Sequence, residues 1–98
     1  MSSRFVLTRS ARADLEDTWE DVARRFDVET AERVLDALES ACRLLADHPD
    51  IGHYREDVAK RPVRFWPAGP SLICYDSSAR PLRILRIARA ERDWERMI

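Results

Sequence analysis

Apolar residues recur at helical spacing through the first half of the chain. The first such stripe consists of Ala11, Leu15, Trp19, Val22, Ala23 and Phe26, whose spacing predicts an α-helix with one apolar side. Thr8 precedes this stripe and is suited to cap the start of the helix with its hydroxyl. The opposite side carries charged residues from Asp14 to Arg25, which predicts a solvated face. A short β-prone run over residues 5–7 comes before the helix.

A second helix is predicted from Val28 to Leu45, where apolar residues return at the same period. Asp27 is placed to cap its start. His48-Pro49 ends it, because the residue before a proline is pushed out of the helical region. The break between the two helices is too short for any arrangement other than an antiparallel α-hairpin.

After Pro49 the pattern changes to short β-prone segments separated by turns. Following a turn-rich connection over residues 48–54, strands are predicted at residues 62–67, 71–75 and 82–89. Strict alternation along the last strand places Ile84 and Ile87 on opposite faces. The expected fold is α+β, with the order β-αα-βββ: an antiparallel helical hairpin packed on one face of a small, mostly antiparallel sheet.

Length and composition fit one domain over residues 1–98, with 45% hydrophobic and 36% charged residues. No apolar run approaches the roughly 18–20 residues that a membrane span needs. The N-terminus from Met1 to Phe5 lacks the apolar core of a signal peptide, so a cytoplasmic protein without membrane association is expected. Cys42 and Cys74 lie in apolar stretches, and reduced buried thiols are expected rather than a disulfide or a ligand pair.

Charge is distributed unevenly between the two halves of the chain. Residues 1–50 hold seven arginines against twelve acidic residues, a net charge of −5, whereas residues 51–98 hold ten basic against six acidic residues, a net charge of +4. Such asymmetry indicates a surface for a polyanion or an acidic partner. Only Lys60 among the basic residues is a lysine, and arginine is suited to bidentate contact with carboxylate or phosphate.

The sequence contains no Gly-rich phosphate loop, no HExxH motif and no Cys/His metal spacing, so neither a metal nor a cofactor is expected. Asp14, Asp17 and Asp21 stand at i, i+3 and i+7 and could in principle hold a cation, but a solvated helix face is the expected role of this row. Trp19 is expected to pack in the core. Trp66 and Trp94 would suit a protein interface if they are exposed.

Five short motifs occur in an order and at separations that resemble one protein family. They are Phe5-x-Leu7-Thr8-x-x-Ala11-x-x-Asp14-Leu15, Leu45-x-x-His48-Pro49-x-x-Gly52, Val63-Arg64-Phe65, Leu72-Ile73-x-Tyr75, and Ile84-Leu85-Arg86-Ile87 followed by Arg92-Asp93. Over roughly residues 5–94 the chain resembles the ParE branch of the RelE/ParE superfamily. The resemblance implies the toxin of a type II toxin–antitoxin pair, neutralised by a cognate protein antitoxin of the ribbon-helix-helix or a similar class.

The resemblance leaves two activities open, since ParE-like members are described as inhibitors of DNA gyrase and RelE-like members cut mRNA in the ribosomal A site. RNA cleavage needs groups that transfer protons. Several ribonuclease relatives carry a histidine where this chain has Arg89, and arginine is a poor proton shuttle. His48 and His53 flank a loop and are expected to be solvent-facing or a helix-end cap. For the ribonuclease alternative, the candidate catalytic residues are Arg64, Tyr75, Arg86 and Arg89.

A non-enzymatic inhibitor of gyrase is therefore the favoured interpretation. A ribosome-dependent mRNA endonuclease and a degenerate toxin that only binds antitoxin are the alternatives. The predicted contact residues for target or antitoxin are Lys60, Arg61, Arg64, Arg83, Arg86, Arg89, Arg92 and Trp94. Sequence-specific nucleic-acid binding is not expected. The antitoxin is expected to lay an acidic, amphipathic C-terminal segment across the same region or across the helical hairpin.

Overall fold

The computed structural model describes residues 4–98, so the first residues of the N-terminus considered for a signal peptide lie outside the described residues. The elements, in order, are β1 (Phe5–Leu7), α1 (Arg9–Arg25), α2 (Val28–Asp47), β2 (His53–Tyr54), β3 (Val63–Ala68), β4 (Ser71–Asp76), β5 (Leu82–Arg89) and α3 (Trp94–Met97). The predicted helices, strands and α+β class are confirmed. Two short elements, β2 and α3, were not predicted from the sequence.

Both long helices begin at the predicted capping residues. The Thr8 hydroxyl accepts a hydrogen bond from the amide of Ala11 at 3.0 Å, and an oxygen of Asp27 accepts one from the amide of Thr30 at 2.7 Å. These bonds satisfy donors that the first turn of a helix leaves free. The hydrogen bonds from Thr30 also lower the pKa of Asp27. Because only Phe26 and Asp27 separate α1 from α2, the helices form the predicted hairpin.

The five strands form one sheet in the order β1-β5-β4-β3-β2. The β1–β5 pair is parallel and the other three pairs are antiparallel, which confirms a mostly antiparallel sheet. The first strand of the chain thus lies beside the last one, and β1 and β2 form the two edges. Within the described residues no helix has the length and the apolarity that crossing a membrane requires.

A bulge in β5 overturns the strict alternation expected for this strand. Ile84 lies opposite Tyr75 and Arg86 opposite Cys74, so that Leu85 has no partner in the register. An extra residue of this kind shifts the side-chain alternation beyond it. As a result Ile84 and Ile87 both join the core on the helix side of the sheet, instead of facing opposite ways.

Buried apolar side chains form a separate cluster on each face of the sheet. The helix-side cluster joins α1 and α2 to the sheet through Ala11, Leu38, Cys42, Leu45, Ile73, Tyr75, Leu82, Ile84 and Ile87. The opposite-face cluster consists of Phe65, Cys74 and Trp94, with Val58, Ala59 and Met97 packed against it. It is covered by α3 and by the loop before β3.

Each cysteine belongs to a different one of these clusters. Cys42 lies in the helix-side cluster and Cys74 in the opposite-face cluster, and both are free thiols, as predicted. Burial raises the pKa of each thiol to about 12. Both therefore act as small apolar core residues and not as nucleophiles.

Candidate interaction surfaces

The exposed residues of the predicted contact set lie in two separate groups. Lys60, Arg61 and Arg83 form the first basic group, at the end of the sheet where β3 and β5 begin. Arg89 and Arg92 form the second basic group, at the other end of β5. Arg83 and Arg89 are six positions apart, which corresponds to about 20 Å along a strand. The predicted set is thus divided between two ends of the sheet.

One member of the first basic group, Arg61, stacks on the ring of Tyr54, and so does the less exposed Arg64. The guanidinium carbons of Arg61 and Arg64 lie 4.0 and 4.1 Å from the centre of this ring. Stacking of this kind limits the freedom of a guanidinium while leaving its edge available to a partner. Arg61 also makes an ion pair of 3.3 Å with Glu56, although both side chains are more than half exposed, so that a partner can compete for it.

In the second basic group Arg89 donates a hydrogen bond of 2.6 Å from Nε to Glu91. This contact lowers the pKa of Glu91. Arg92 makes no ion pair within residues 4–98, and its side chain is exposed. It lines a small cleft of about 240 Å³ together with Arg55 and Asp57 from the loop before β3.

Trp94 is buried rather than exposed, with 3% of its surface accessible. Its ring packs edge-on against Phe65, with ring centres 5.7 Å apart, and its Nε1 donates a hydrogen bond of 3.2 Å to the carbonyl of Arg89. The tryptophan itself therefore offers little surface to a partner. Its contacts position the chain that carries Arg89 and Arg92.

Arg86 is held by other parts of the protein. Its Nε and Nη2 donate to both carboxylate oxygens of Asp14, at 2.8 and 2.9 Å, and its Nη1 donates to the carbonyl of Met97 at 3.2 Å. Because Arg86 lies opposite Cys74, it starts on the face away from the helices and reaches α1 around the edge of β5. It therefore links β5, α1 and α3.

The prediction that the row of Asp14, Asp17 and Asp21 forms a solvated face of α1 is wrong at Asp14, which is only 8% exposed. Beyond Ile84 the edge of β5 is no longer paired with β1, and Asp14 accepts the amide of Ile87 there at 2.9 Å. Both carboxylate oxygens are thus engaged inside the fold. Asp21 of the same row is paired with Arg25. Among residues 4–98, no group of acidic, histidine or cysteine side chains is placed to hold a metal ion.

The motif from His48 to Gly52 fastens the loop after α2 to the sheet. The hydroxyl of Tyr75 donates to the carbonyl of Pro49 at 2.7 Å and accepts from the amide of Gly52 at 2.9 Å. Arg64 donates to the carbonyl of Gly52 at 2.9 Å. Burial raises the pKa of Tyr75. A Cβ at position 52 would overlap the Tyr75 hydroxyl, which explains the glycine. His48 caps the end of α2.

The four candidate catalytic residues of the ribonuclease alternative are not gathered into one open site. Arg64 and Tyr75 lie opposite each other on β3 and β4, where Tyr75 is fully buried and the side chain of Arg64 is 16% exposed. Arg86 leaves the sheet from its other face. Arg89 lies at the far end of β5. His53 is exposed and stacks on Trp66, with ring centres 6.4 Å apart.

A groove that the sequence did not predict lies between β1, α1 and α2. This hairpin groove has a volume of about 540 Å³. Its apolar lining includes Val6, Leu7, Leu15, Leu35 and Leu38, and its charged lining consists of Arg12, Glu32, Asp36 and Glu39. No local pattern indicated this groove, since adjacent apolar residues such as Val34 and Leu35 belong to an ordinary amphipathic stripe.

The hairpin groove continues toward Trp19. A second hollow of about 340 Å³ shares Leu7, Arg12, Leu15 and Leu35 with it and is also lined by Trp19. Trp19 is half-buried and donates from Nε1 to Glu32 at 2.9 Å, so its expected place in the core is wrong. The outer edge of β1 borders the groove, and Val6 on this strand is 43% exposed.

A helical hairpin on one face of a five-stranded mixed sheet defines an α+β domain, with the candidate interaction surfaces at its periphery. The solved structure titled "Chromosomal ParDE TA system from P. aeruginosa" has this fold, with a TM-score of 0.74 and 23% sequence identity, covering 91% of this chain and 100% of that chain. The family described as "ParE toxin of type II toxin-antitoxin system, parDE" matches residues 5–94. The chain belongs to this ParE toxin family.

Two named relatives agree with this assignment. Toxin ParE1 of Caulobacter vibrioides is 30% identical over 83 residues, which cover 85% of this chain and 84% of the relative. Toxin ParE1 of Mycobacterium tuberculosis is 36% identical over 58 residues, which cover 59% of each chain. The match thus spans less than two thirds of the mycobacterial relative.

Proposed function

We propose that this protein is the toxin of a type II toxin–antitoxin pair and that it inhibits DNA gyrase by binding to it, without catalysing a reaction. The observation that carries the proposal is the match to the ParE toxin family over residues 5–94. Gyrase acts on DNA in the cytoplasm, so the cytoplasm is the proposed site of action.

The positions of the candidate catalytic residues favour binding over chemistry. Proton transfer in RNA cleavage needs a group within hydrogen-bond reach of the substrate. The hydroxyl of Tyr75 is instead committed to Pro49 and Gly52, and the guanidinium of Arg86 to Asp14 and Met97. Arg89 stands where several ribonuclease relatives carry a histidine and cannot replace it as a proton shuttle.

The two basic groups are the proposed contact surface for gyrase. Their exposed side chains (Lys60, Arg61, Arg83, Arg89 and Arg92) are suited to charge-assisted hydrogen bonds with carboxylates of a protein target. Arg64, Arg86 and Trp94 belong to this function as positioning residues, because they hold Tyr54, α3 and the carbonyl of Arg89 in place.

The proposed partner in the inactive state is a cognate antitoxin. Covering either basic group with an acidic segment of the antitoxin would compete directly with the target. Such competition needs no conformational change of the toxin, because the same exposed arginines take part in both complexes.

The test compares two triple variants in a supercoiling assay with purified gyrase. Arg83→Gln/Arg89→Gln/Arg92→Gln removes three proposed contacts and is expected to weaken inhibition at least about tenfold, since interface charges contribute up to several kcal/mol. The matched control Arg24→Gln/Arg25→Gln/Arg33→Gln removes three exposed charges from the helical hairpin and is expected to inhibit like the wild type.

Inducible expression in cells, with DNA and protein synthesis followed separately, distinguishes the alternatives. Early loss of DNA synthesis supports the proposal. Loss of translation with cleaved mRNA and normal supercoiling would overturn it in favour of an endonuclease. Absence of toxicity would overturn it in favour of a degenerate toxin that only binds antitoxin.

A further inference from the structure

The turn between β4 and β5 adds a fourth cation beside the first basic group. Arg80 lies in this turn and is exposed. Val63, Asp76 and Arg83 stand side by side on β3, β4 and β5, so the ends of these strands are neighbours. Neighbouring strands lie about 4.8 Å apart, which places the backbones of Val63 and Arg83 about 10 Å from each other. Lys60, Arg61, Arg80 and Arg83 together form the sheet-end surface.

Buried Ser77 joins the two segments that carry these cations. Its amide and its hydroxyl both donate to the carbonyl of Pro62, at 3.2 and 2.7 Å, which fastens the loop before β3 to the turn after β4. Arg80 donates from Nη1 to the carbonyl of Ser77 at 2.8 Å, and Arg61 is held on the ring of Tyr54. The backbone that carries the cations is therefore ordered before any partner binds, so binding costs less conformational entropy.

Little negative charge opposes the sheet-end surface. Residues 60–64 and 76–83 hold five basic residues and one acidic residue, Asp76. Among the four cations of the surface, only Arg61 has an ion pair within residues 4–98, with Glu56, and both of these side chains are more than half exposed. Such exposed pairs are weak. The surface thus keeps most of its positive charge for a partner.

The charges around the second basic group are balanced instead. Residues 89–96 hold three arginines and three acidic residues. Arg89 is paired with Glu91, and Arg96 lies 3.4 Å from Asp93. A mixed surface of this kind fits a protein surface that carries both signs of charge, whereas a cluster of cations with few acids fits a polyanion. The two basic groups therefore differ in the partner that suits them.

Duplex DNA is the polyanion that an inhibitor of gyrase meets, because gyrase acts on DNA. Duplex DNA carries about one negative charge per 1.7 Å of its axis, so about 10 Å of duplex offers about six charges to the four cations. Contacts to phosphates carry no sequence information, in keeping with the expectation that this chain reads no DNA sequence. The net charge of the whole chain is −1, so attraction to DNA has to come from this surface.

We propose that the sheet-end surface binds the phosphate backbone of the DNA that gyrase holds, while the second basic group contacts the gyrase protein. The proposal rests on the proposed function and refines it, because it assigns the two basic groups to partners of different chemistry. The toxin thus recognises gyrase together with its DNA, and its affinity for gyrase rises when DNA is bound.

The first test measures binding to a short fluorescent DNA duplex of mixed sequence by anisotropy. Four phosphate contacts give a slope of log K against log salt of about −3.6, so doubling the salt from about 0.1 to about 0.2 M should weaken binding about twelvefold. Lys60→Gln/Arg83→Gln removes two contacts, so the slope should fall to about −1.8 and the loss to about three- to fourfold. Lys60→Arg/Arg83→Lys keeps both charges and should bind like the wild type.

The matched control is Arg24→Gln/Arg33→Gln, which removes two exposed cations from the helical hairpin and should keep the salt slope of the wild type. Lys60 and Arg83 are exposed as well, so thermal unfolding should be unchanged in every variant. Equal slopes for the control and for Lys60→Gln/Arg83→Gln would overturn the proposal. Tighter binding to a single-stranded RNA of equal length would overturn DNA as the ligand.

Binding to immobilised gyrase, with and without a bound duplex, separates this inference from the proposed function. DNA should raise the affinity of the wild type at least about fivefold, and Lys60→Gln/Arg83→Gln should lose this increase. Equal affinity of the wild type for both states would overturn the DNA contact and leave gyrase inhibition standing. Absence of gyrase binding, with a salt slope that depends on Lys60 and Arg83, would overturn the target and support the surface. Absence of both would overturn both proposals.

Discussion

The two faces of the sheet differ in how they are covered and in what they hold in place. On the helix side, α1 and α2 cover a cluster of nine buried residues in the described part of the chain. On the opposite face a four-residue helix and a loop cover three buried residues, Phe65, Cys74 and Trp94. The helix side thus contains most of the core, whereas the opposite face uses few residues to position arginines.

This difference indicates a division between stability and recognition. Elements with few buried apolar contacts open more readily than the main core. The second basic group depends on such an element, since Trp94 holds the carbonyl of Arg89. The ion pair of Arg86 with Asp14 is the link between the two faces, because it joins the strand, α1 and α3. Substitutions can therefore test whether the opposite face is part of one cooperative unit.

The largest effect is expected from Trp94→Ala. Removing this ring leaves a cavity beside Phe65 and should lower the free energy of unfolding by about 3–4 kcal/mol. Urea denaturation is the measurement, and Trp94→Phe, which keeps most of the apolar volume, should cost about 1–2 kcal/mol. A loss below about 1 kcal/mol for the alanine variant would show that the opposite face is not part of the cooperative unit formed by the main core.

The second largest effect is expected from Asp14→Ala, which should lower the free energy of unfolding by about 3 kcal/mol. The substitution leaves Arg86 without its carboxylate and the amide of Ile87 without an acceptor. Asp17→Ala is the matched control, because Asp17 is exposed on the same helix, and it should change stability by less than about 0.5 kcal/mol. Similar losses for the two variants would contradict the linking role of Asp14.

Gly52→Ala tests the hydrogen bonds by which Tyr75, on the helix side of the sheet, holds the loop after α2. The added methyl overlaps the Tyr75 hydroxyl and should displace it from its two backbone partners, at a cost of about 2 kcal/mol. Gly69→Ala is the comparison, since position 69 has a positive φ of 61° and open space around it. There, backbone strain alone should cost about 1 kcal/mol. If Gly52→Ala lowers the free energy of unfolding by less than Gly69→Ala does, these hydrogen bonds do not stabilise the fold.

The smallest effect concerns the thiols, one on each face. Burial raises the pKa of Cys42 and Cys74 from 9.0 to about 12, so alkylation of the native protein at pH 8 should be slow. Local opening of α3 should make Cys74 react faster than Cys42, as measured by mass spectrometry on the Cys42→Ala and Cys74→Ala variants. Equal rates would indicate that both faces open together.

The same pKa values predict a stability change at high pH. Because the folded pKa of each thiol lies above its unfolded value, the neutral thiols contribute stability that is present below pH 9.0 and is lost as the pH rises toward about 12. Cys74→Ala should therefore show a shallower loss of unfolding free energy over this range than the wild type.

Local physical chemistry was sufficient for the helices, most strands and the class of fold. Thr8 and Asp27 cap α1 and α2 through hydrogen bonds to residues three positions away, and the apolar period of α2 indicates the side that is buried. Pro49 ends the second helix through a steric restriction on its own neighbour. All of these interactions act within a few residues, so the sequence by itself determined them.

Tertiary structure decided which charged side chains are exposed to a partner and which are buried in the fold. In the sequence Asp14 is one more acidic residue on a polar helix face. Its burial and its role in joining β5 to α1 depend on Arg86, which is 72 positions away. The bulge at Leu85 shifts the alternation of β5, and the burial of Trp94 follows from contact with Phe65 on another strand. The hairpin groove depends on β1 pairing with the last strand of the chain. These features arise from contacts between distant segments, whose pairing no local pattern encodes.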